Sequence, residues 1–330
     1  MLFSVSTLAP QFSRSTNTAN LLSLTTLFRA YSGRGLLPSH CKVYHSFRQF
    51  STLFWTNGPI PCKIIIDLGE EGPLLPAPLS ACVVLYHCGE EVFEALRCVE
   101  NSDLEVAVYL CDNSPEDITA DKLQWTFPGV TVLPQKENVG FGRANNAVLP
   151  YLQSRYHLIM NPDVTFDPGL LSRMTAYMDA HPNIAILTPR VMNEDGSEQF
   201  LPKKRISVHY LLSGLLEPLG GVFHRWREEY TMADMNIHAP VPVEFATGCF
   251  LLIRTSVFQE LQGFDPRFFL YQEDSDLARR VLDQNLGSIV YHPDMVVTHR
   301  WARENTRTFK GRMRQIRSVF KYFLKWGITW

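Results

Sequence analysis

The chain has 330 residues, 45% of them apolar and 12% aromatic, enough to bury a sizeable core and to argue against global disorder. Its 31 basic side chains are matched by 33 acidic ones, which argues against a whole-chain nucleic-acid binder. Seven cysteines without a CxxC pair speak against a zinc finger or disulfide scaffold and fit a reducing compartment, and no run of about 18 apolar residues marks a membrane span.

Charge divides the chain into three blocks. Residues 1–66 hold six basic side chains and no acid, residues 67–299 hold 16 basic and 32 acidic, and residues 300–325 hold nine basic and one acidic. The first block is rich in Ser and Thr and shows no sustained period of 3.6 or 2. Three readings of it stay open: an organellar transit peptide, a start site placed too far upstream, or a disordered tail. With the linker EEGPLLPAPLS, residues 1–78 are set aside from the fold as a disordered or spurious leader.

The body opens on a strand, ACVVLYHC (81–88), too short and too β-branched for a helix. A helix over EEVFEALRCVENS follows, then a strand over 105–113, a turn at Ser114-Pro115, and a strand over 130–135. ENVGFGRANN leads into another helix, and HLIMNPDV (157–164) reads as the fourth strand. Strands alternating with helices at this spacing predict a mostly parallel sheet covered on both faces. Ligands of such sheets sit beyond the carboxyl ends of the strands, which is where Asp112 and the Asn161–Asp163 cluster fall.

Four motifs carry candidate chemistry. In NPDV, Asp163 and Asn161 offer oxygen donors suited to Mg²⁺ or Mn²⁺; an ordinary Asx turn is the plain alternative. In ENVGFGRANN, Gly140 and Gly142 permit close backbone approach, and the helix start that follows favours an anion; a simple helix-start turn is the other reading. In FDPRFFLYQEDSDLARRVLDQ, Asp274 shares the inward stripe of Leu277 and Val281, while Asp276 and Arg280 are spaced to pair on another face. Asp274 is therefore a helix cap or a catalytic acid beside an aromatic wall. His299, in VVTHRW, stands 25 residues beyond Asp274, enough for a helix, a turn and a returning strand; His292 is the weaker candidate. Residues 163, 274 and 299 are expected to converge on one site.

The order CDNSP, ENVGFGRANN, NPDV, ATGCFLLIR, GFDPRFFLYQEDSDLARR and THRW resembles glycosyltransferase family 2 across roughly residues 80–325. More narrowly it resembles bacterial rhamnosyltransferases acting on lipid-linked sugars in O-antigen and cell-wall polysaccharide assembly. The resemblance implies an α/β, Rossmann-like GT-A domain over 79–300, its mostly parallel central sheet flanked by helices. It implies an inverting, metal-assisted transfer from a nucleotide-sugar, L-rhamnose from dTDP-rhamnose in the narrowest form, to a glycan or polyprenyl-diphosphate-linked acceptor. Tyr86, Asp112, Asn138, Gly140, Phe141, Asn145 and Asn161 would line the nucleotide-sugar, Asp163 and His299 would hold Mg²⁺ or Mn²⁺, and Asp274 would be the general base. Asn161 stands where many members carry the first acid of a DxD motif, which weakens the expected metal site.

Residues 301–330 read as a basic amphipathic helix, with Phe309, Met313, Ile316, Phe320 and Phe323 on one face. It either packs on the domain or lies on an anionic membrane surface, the second making the chain a peripheral protein on the inner face of the cytoplasmic membrane. No interleaved aromatic platform points to nucleic acid. Two rivals are a family 2 enzyme using another sugar and a non-catalytic nucleotide-binding relative. A nicotinamide oxidoreductase is set aside, because HCGEE stands where GxGxxG would follow the first strand.

Overall fold

A computed structural model describes residues 42–45, 50–55, 62–67, 77–117, 119–300 and 309–330, and the chain forms two compact units, Met1–Leu75 and Pro76–Trp330. In the first unit, β1 (Lys42–His45), β2 (Phe50–Trp55) and β3 (Cys62–Asp67) pair antiparallel in that order. The sequence reading expected no element before residue 79. The strands are runs of only four to six residues, too short for a period to stand out, although FSTLFW and CKIIID hold the aromatic and β-branched residues that strands favour.

The second unit is built on a nine-stranded sheet. Its first half is parallel: β4 (Leu79–Leu85) lies between β5 (Val106–Asp112) and β7 (Tyr156–Met160), with β6 (Thr131–Pro134) beyond β5. All seven residues of β4 are buried. Leu79, Ala81, Val83 and Leu85 meet one core, which includes Val92, Leu96 and Met174. Cys82 and Val84 meet the other, with Phe258, Leu277 and Val281. Period 2 with both faces apolar is the signature of a sheet covered on both sides. On the first face lie α1 (Glu91–Glu100), which buries Val92, Ala95, Leu96 and Val99 at helical spacing, and α4 (Leu170–Ala180). Two short helices punctuate the stretch between them, α2 (Thr119–Thr126) and α3 (Phe141–Asn146).

The second half carries the exception within the mostly parallel sheet. β9 (Ile184–Met192) and β14 (Ser288–His299) run parallel to each other, but β13 (Phe250–Arg254) runs against both β7 and β9. The sheet is therefore mixed. The expected single strand 157–164 is also two: β7 ends at Met160, and β8 (Val164–Phe166) pairs with β14 instead. Pro162, with no N–H to give the ladder, falls in the break. β10 (Pro202–Lys203) pairs with β12 (Phe245–Ala246), and β11 (Val241–Pro242) with β14.

The remaining helices are α5 (Val208–Leu216), α6 (Val222–Thr231), α7 (Thr255–Glu260), α8 (Glu273–Asp283) and α9 (Phe309–Trp326), and among the described residues none is long and apolar enough to cross a membrane. α9 belongs to the same unit as the sheet. The expected face is divided: Ile316 and Phe320 are 60% and 63% exposed, while Phe323 packs inward beside Tyr322, which is 1% exposed. The side chain of Phe309 lies outside the described residues. Polar partners select this face. Ser318 Oγ donates to the Leu270 carbonyl at 2.8 Å, Lys325 Nζ to Asp265 at 2.7 Å and also to Asp276, and Trp326 Nε1 to Asp276 at 2.8 Å. Asp276 and Arg280 do pair, at 2.8 Å, but beneath α9 and not in water.

Asp276 thus answers three donors from a fully buried position. Removing one member of such a network strands its partners, a cost of about 3–5 kcal/mol, whereas an exposed pair such as Arg173–Asp167 is worth about 0–1 kcal/mol. Urea unfolding of Asp276→Asn and Arg173→Ala is expected to show that contrast; equal effects would mean that α9 is not anchored through Asp276.

Candidate functional site

β7 stops at Met160, and the backbone of Asn161 then donates its N–H to the Cys249 carbonyl at 2.8 Å. β14 brings His299 opposite Val164, so that His299 Nε2 lies 3.3 Å from Asp163 Oδ1 and 3.3 Å from Asn161 Nδ2. Three of the expected site residues therefore do meet. A fourth residue, Gln199, orients the ring. Its Nε2 donates to the His299 carbonyl at 2.8 Å and to Asn193 Oδ1 at 2.9 Å, leaving Oε1 to accept from His299 Nδ1 at 3.0 Å. With the proton on Nδ1, the Nε2 lone pair is turned toward Asn161 Nδ2 and lies beside a carboxylate oxygen, so imidazole and carboxylate present donors to one point.

This donor set, a carboxylate, an imidazole lone pair and an amide, fits a small divalent cation held partly by substrate oxygens. Among the described residues no three His, Cys, Asp or Glu side chains cluster as a complete protein-only site, in keeping with Asn161 in the third position. Asp163 opens onto a cavity of about 40 Å³ that Glu91, Glu94 and Arg300 also line, room for an ion and a water but not for a nucleotide.

Asp274 comes from the first turn of α8. Tyr271 and Gln272 both take left-handed backbone, φ 71° and 69°, a strained turn for residues with side chains that throws the chain abruptly into α8. Asp274 then accepts the Gly248 N–H on Oδ2 at 3.1 Å and the Ser275 N–H on Oδ1 at 2.8 Å. Burial raises its pKa above the usual carboxylate range, opposed by these N–H donors and by the charge of Lys203. Glu273 beside it is buried, its Oε2 has no hydrogen-bond partner, and burial followed by the Asp274 charge pushes its pKa up to about 8.

Asp163 lines the cavity with Glu91 and Glu94, and Asp274 lies among Ile186, Leu251 and Leu277. Of the three residues expected to converge, Asp163 and His299 meet, and Asp274 connects to them only through Gly248–Cys249. Gly248 holds Asp274, and Cys249, the next residue, holds Asn161. Burial pushes the Cys249 thiol up to about 12, and the Asp163 and Asp274 charges both add to the shift. Both carboxylates act on that one residue.

The glycine turn makes a close backbone approach within the protein. Gly140 sits at φ 87°, and a Cβ there would stand 2.1 Å from the Phe269 carbonyl oxygen. Its N–H goes to Asn138 Oδ1 at 2.9 Å, and the Phe141 N–H goes to the Phe269 carbonyl at 3.0 Å. Both are taken by protein acceptors, so the turn clasps the aromatic loop before Asp274 and offers neither N–H to a phosphate. Asn145 is buried, with Nδ2 donating to the Phe141 carbonyl at 3.0 Å and Oδ1 left without a partner. Tyr86 and Asp112 stand at the carboxyl ends of β4 and β5. Tyr86 is half-exposed against the His87 ring, and Asp112 is buried, accepting the Ser114 N–H at 3.0 Å. His292, the weaker histidine, packs edge-on against Tyr177.

Sequence reasoning missed Gln199, Glu273 and Lys203. Glu273 lay in a motif already singled out, and the basic run at 203–205 was visible. Nothing local marked Gln199, which acts through partners 100 residues away.

The sequence profile described as "Glycosyl transferase family 2" matches residues 80–262. The N-acetylglucosaminyl-diphospho-decaprenol L-rhamnosyltransferase of Mycobacterium tuberculosis (strain CDC 1551 / Oshkosh) is 30% identical over 215 residues, covering 61% of this chain and 69% of that protein. Rhamnosyltransferase WbbL of Escherichia coli (strain K12) is 24% identical over 56% of this chain and 70% of its own length. The mannosyltransferase PcManGT from Pyrobaculum calidifontis, solved with GDP-Man and Mn²⁺, superposes with a TM-score of 0.50 at 14% identity, over 93% of this chain and 73% of that one, a likeness of fold. With more than half of its length inside the family profile, this chain belongs to glycosyltransferase family 2.

Proposed function

We propose that the chain transfers a hexose, L-rhamnose from dTDP-rhamnose in the narrowest reading, from a nucleotide-sugar to a hydroxyl of a lipid-linked or glycan acceptor, with inversion. The observation that carries this reading is that Gly248 donates to the Asp274 carboxylate while Cys249, the next residue, accepts from Asn161, two residues before Asp163. The curated relative whose name specifies an N-acetylglucosaminyl-diphospho-decaprenol acceptor supports the acceptor class.

Asp274 is the general base in this reading. As the new bond forms at the anomeric carbon and the bond to the diphosphate breaks, the acceptor proton passes to Asp274, a contribution of about 10²–10⁴ in rate. The Gly248 and Ser275 N–H groups hold its oxygens in place, and a protonated Glu273 leaves Asp274 the charged member of the pair. Asp163, His299 and Asn161 would hold a divalent cation, which when bound neutralises charge on the departing diphosphate. Tyr86 and Asp112, at the strand ends, together with Asn138, Gly140, Phe141 and Asn145, would border the donor. Binding donor and acceptor together supplies much of the remaining acceleration. The exposed stripe of Ile316, Phe320 and Leu324, with Arg317 and Lys321 beside it, suits an anionic membrane surface where a lipid-linked acceptor resides. A non-catalytic relative would have no need of a base held by two backbone donors.

Asp274→Asn is expected to lower kcat by at least about 10² with donor affinity unchanged by calorimetry; a parallel loss of donor binding would make Asp274 a scaffold. Gln199→Leu frees the His299 ring from its tautomer and is expected to weaken Mn²⁺ binding about 10–100-fold, read by titration without substrate; unchanged affinity would remove His299 from the site. Glu273, with its pKa raised in the fold, stabilises the native state below the ordinary glutamate pKa and loses that contribution as pH rises from about 4.5 to about 8. Stability should therefore fall with pH across that window, by up to about 1.4 kcal/mol per unit, and Glu273→Gln should flatten the slope in urea unfolding. An identical slope in the variant would assign the dependence elsewhere.

A further inference from the structure

The sequence sets three cations in a row, Lys203, Lys204 and Arg205. Lys204 pairs with Glu229 at 2.8 Å and Arg205 with Asp283 at 3.2 Å. The Lys203 ammonium has neither an ion pair nor a hydrogen bond among the described residues. It lies instead over the rings of Tyr230 and Phe245, 5.8 and 5.5 Å from their centres. A half-buried ammonium walled by two aromatics and given no anion is an incomplete interaction.

Its position says which anion would suit it. Lys203 pairs across the ladder with Phe245 of β12, and Thr247 Oγ1, two residues on, donates to the Leu201 carbonyl at 3.5 Å. The next residue is Gly248, which holds Asp274. Lys203 is thus fixed beside Gly248, on the strand pair that leads into the residue holding Asp274. Burial pulls its pKa below the ordinary lysine range while the Asp274 charge works the other way, and the two side chains influence each other without pairing. Donor phosphates belong by charge to the cation-binding side. An anion on the Asp274 side therefore arrives with the molecule whose hydroxyl Asp274 deprotonates.

We propose that Lys203 receives the diphosphate of an anionic acceptor, a sugar carried on a lipid diphosphate, and selects such acceptors over uncharged glycans. This rests on the transfer reading above. Lysine suits the task as a compact point charge on a flexible stem. The aromatic walls keep water from competing, and the acceptor's sugar ring spans the interval between its anomeric diphosphate, at Lys203, and the hydroxyl that reaches Asp274.

The test compares two acceptors, a short-chain lipid diphosphate of N-acetylglucosamine and the octyl glycoside of the same sugar, with wild type, Lys203→Met and Lys203→Arg. Lys203→Met should reduce the kcat/KM ratio of charged to uncharged acceptor by roughly 10–100-fold, the loss of one charge-assisted hydrogen bond. The loss should fall mainly on KM, and Lys203→Arg should recover part of it. Thermal melts confirm that both variants fold. An unchanged ratio overturns the proposal, including the case in which both acceptors suffer equally and the pH profile shifts, because Lys203 would then serve Asp274 alone. If wild type glycosylates neither acceptor, the transfer reading fails by itself. Titration with inorganic pyrophosphate, under EDTA and saturating dTDP, then decides: tighter binding to wild type than to Lys203→Met upholds the anion site, and equal binding removes it.

Discussion

Two consecutive residues hold the site together. Gly248 gives its N–H to Asp274, and Cys249 gives its carbonyl to the N–H of Asn161. One bond ties the pair to the start of α8 and the other ties it to the end of β7. Their spacing is not adjustable, because β13 begins at the next residue and is locked in register with β7, Phe250 opposite Met160. The reversed strand that makes the sheet mixed is therefore also the ruler that sets one carboxylate against the other. A parallel strand there would enter from the opposite end of the sheet and leave Asp274 without its donor.

The other side of the site is made stiff by what lies behind it. α8 starts from two left-handed residues, a strained turn of a kind that persists only where its surroundings over-determine it. The surroundings are on hand: the Phe269 carbonyl is clasped by the glycine turn, Leu270 by Ser318, and Asp276 by Lys325 and Trp326. α9 thereby splices the carboxy-terminal block into the site while leaving its other apolar face to the outside. The electrostatics follow from the same packing. Burial raises Asp274 and Glu273 together, and the charge of Lys203 works against the rise at Asp274.

Much of this was legible in the sequence, for definable reasons. β4, α1 and β5 announced themselves by period and by β-branched content, and the Asn161, Asp163 and His299 cluster followed from strand ends and one long return. The split of the fourth strand could have been read from Pro162, had its missing N–H been weighed against the apolar run before it. The face of α9 could not. Counting apolar residues favoured Ile316 and Phe320, but the buried face is chosen by Ser318, Lys325 and Trp326, whose partners lie some 50 residues earlier. Gln199 was invisible for the same reason. The glycine turn left two readings open in the sequence, because a Gly at positive φ serves a close approach by any backbone, here that of Phe269, as well as by a phosphate.

The central claim is that Gly248–Cys249 is the common wall of a single reaction centre, with the leaving group on the Asp163 side and the attacking hydroxyl on the Asp274 side. A crystal structure with Mn²⁺ and a donor nucleotide tests it most directly. The expected result is a metal ion bound by Asp163 and His299 Nε2, with the diphosphate reaching past Cys249 so that the space for the sugar is bordered by Asp274. A nucleotide whose sugar end points away from Gly248–Cys249, leaving Asp274 sealed in its apolar cavity, would contradict the account.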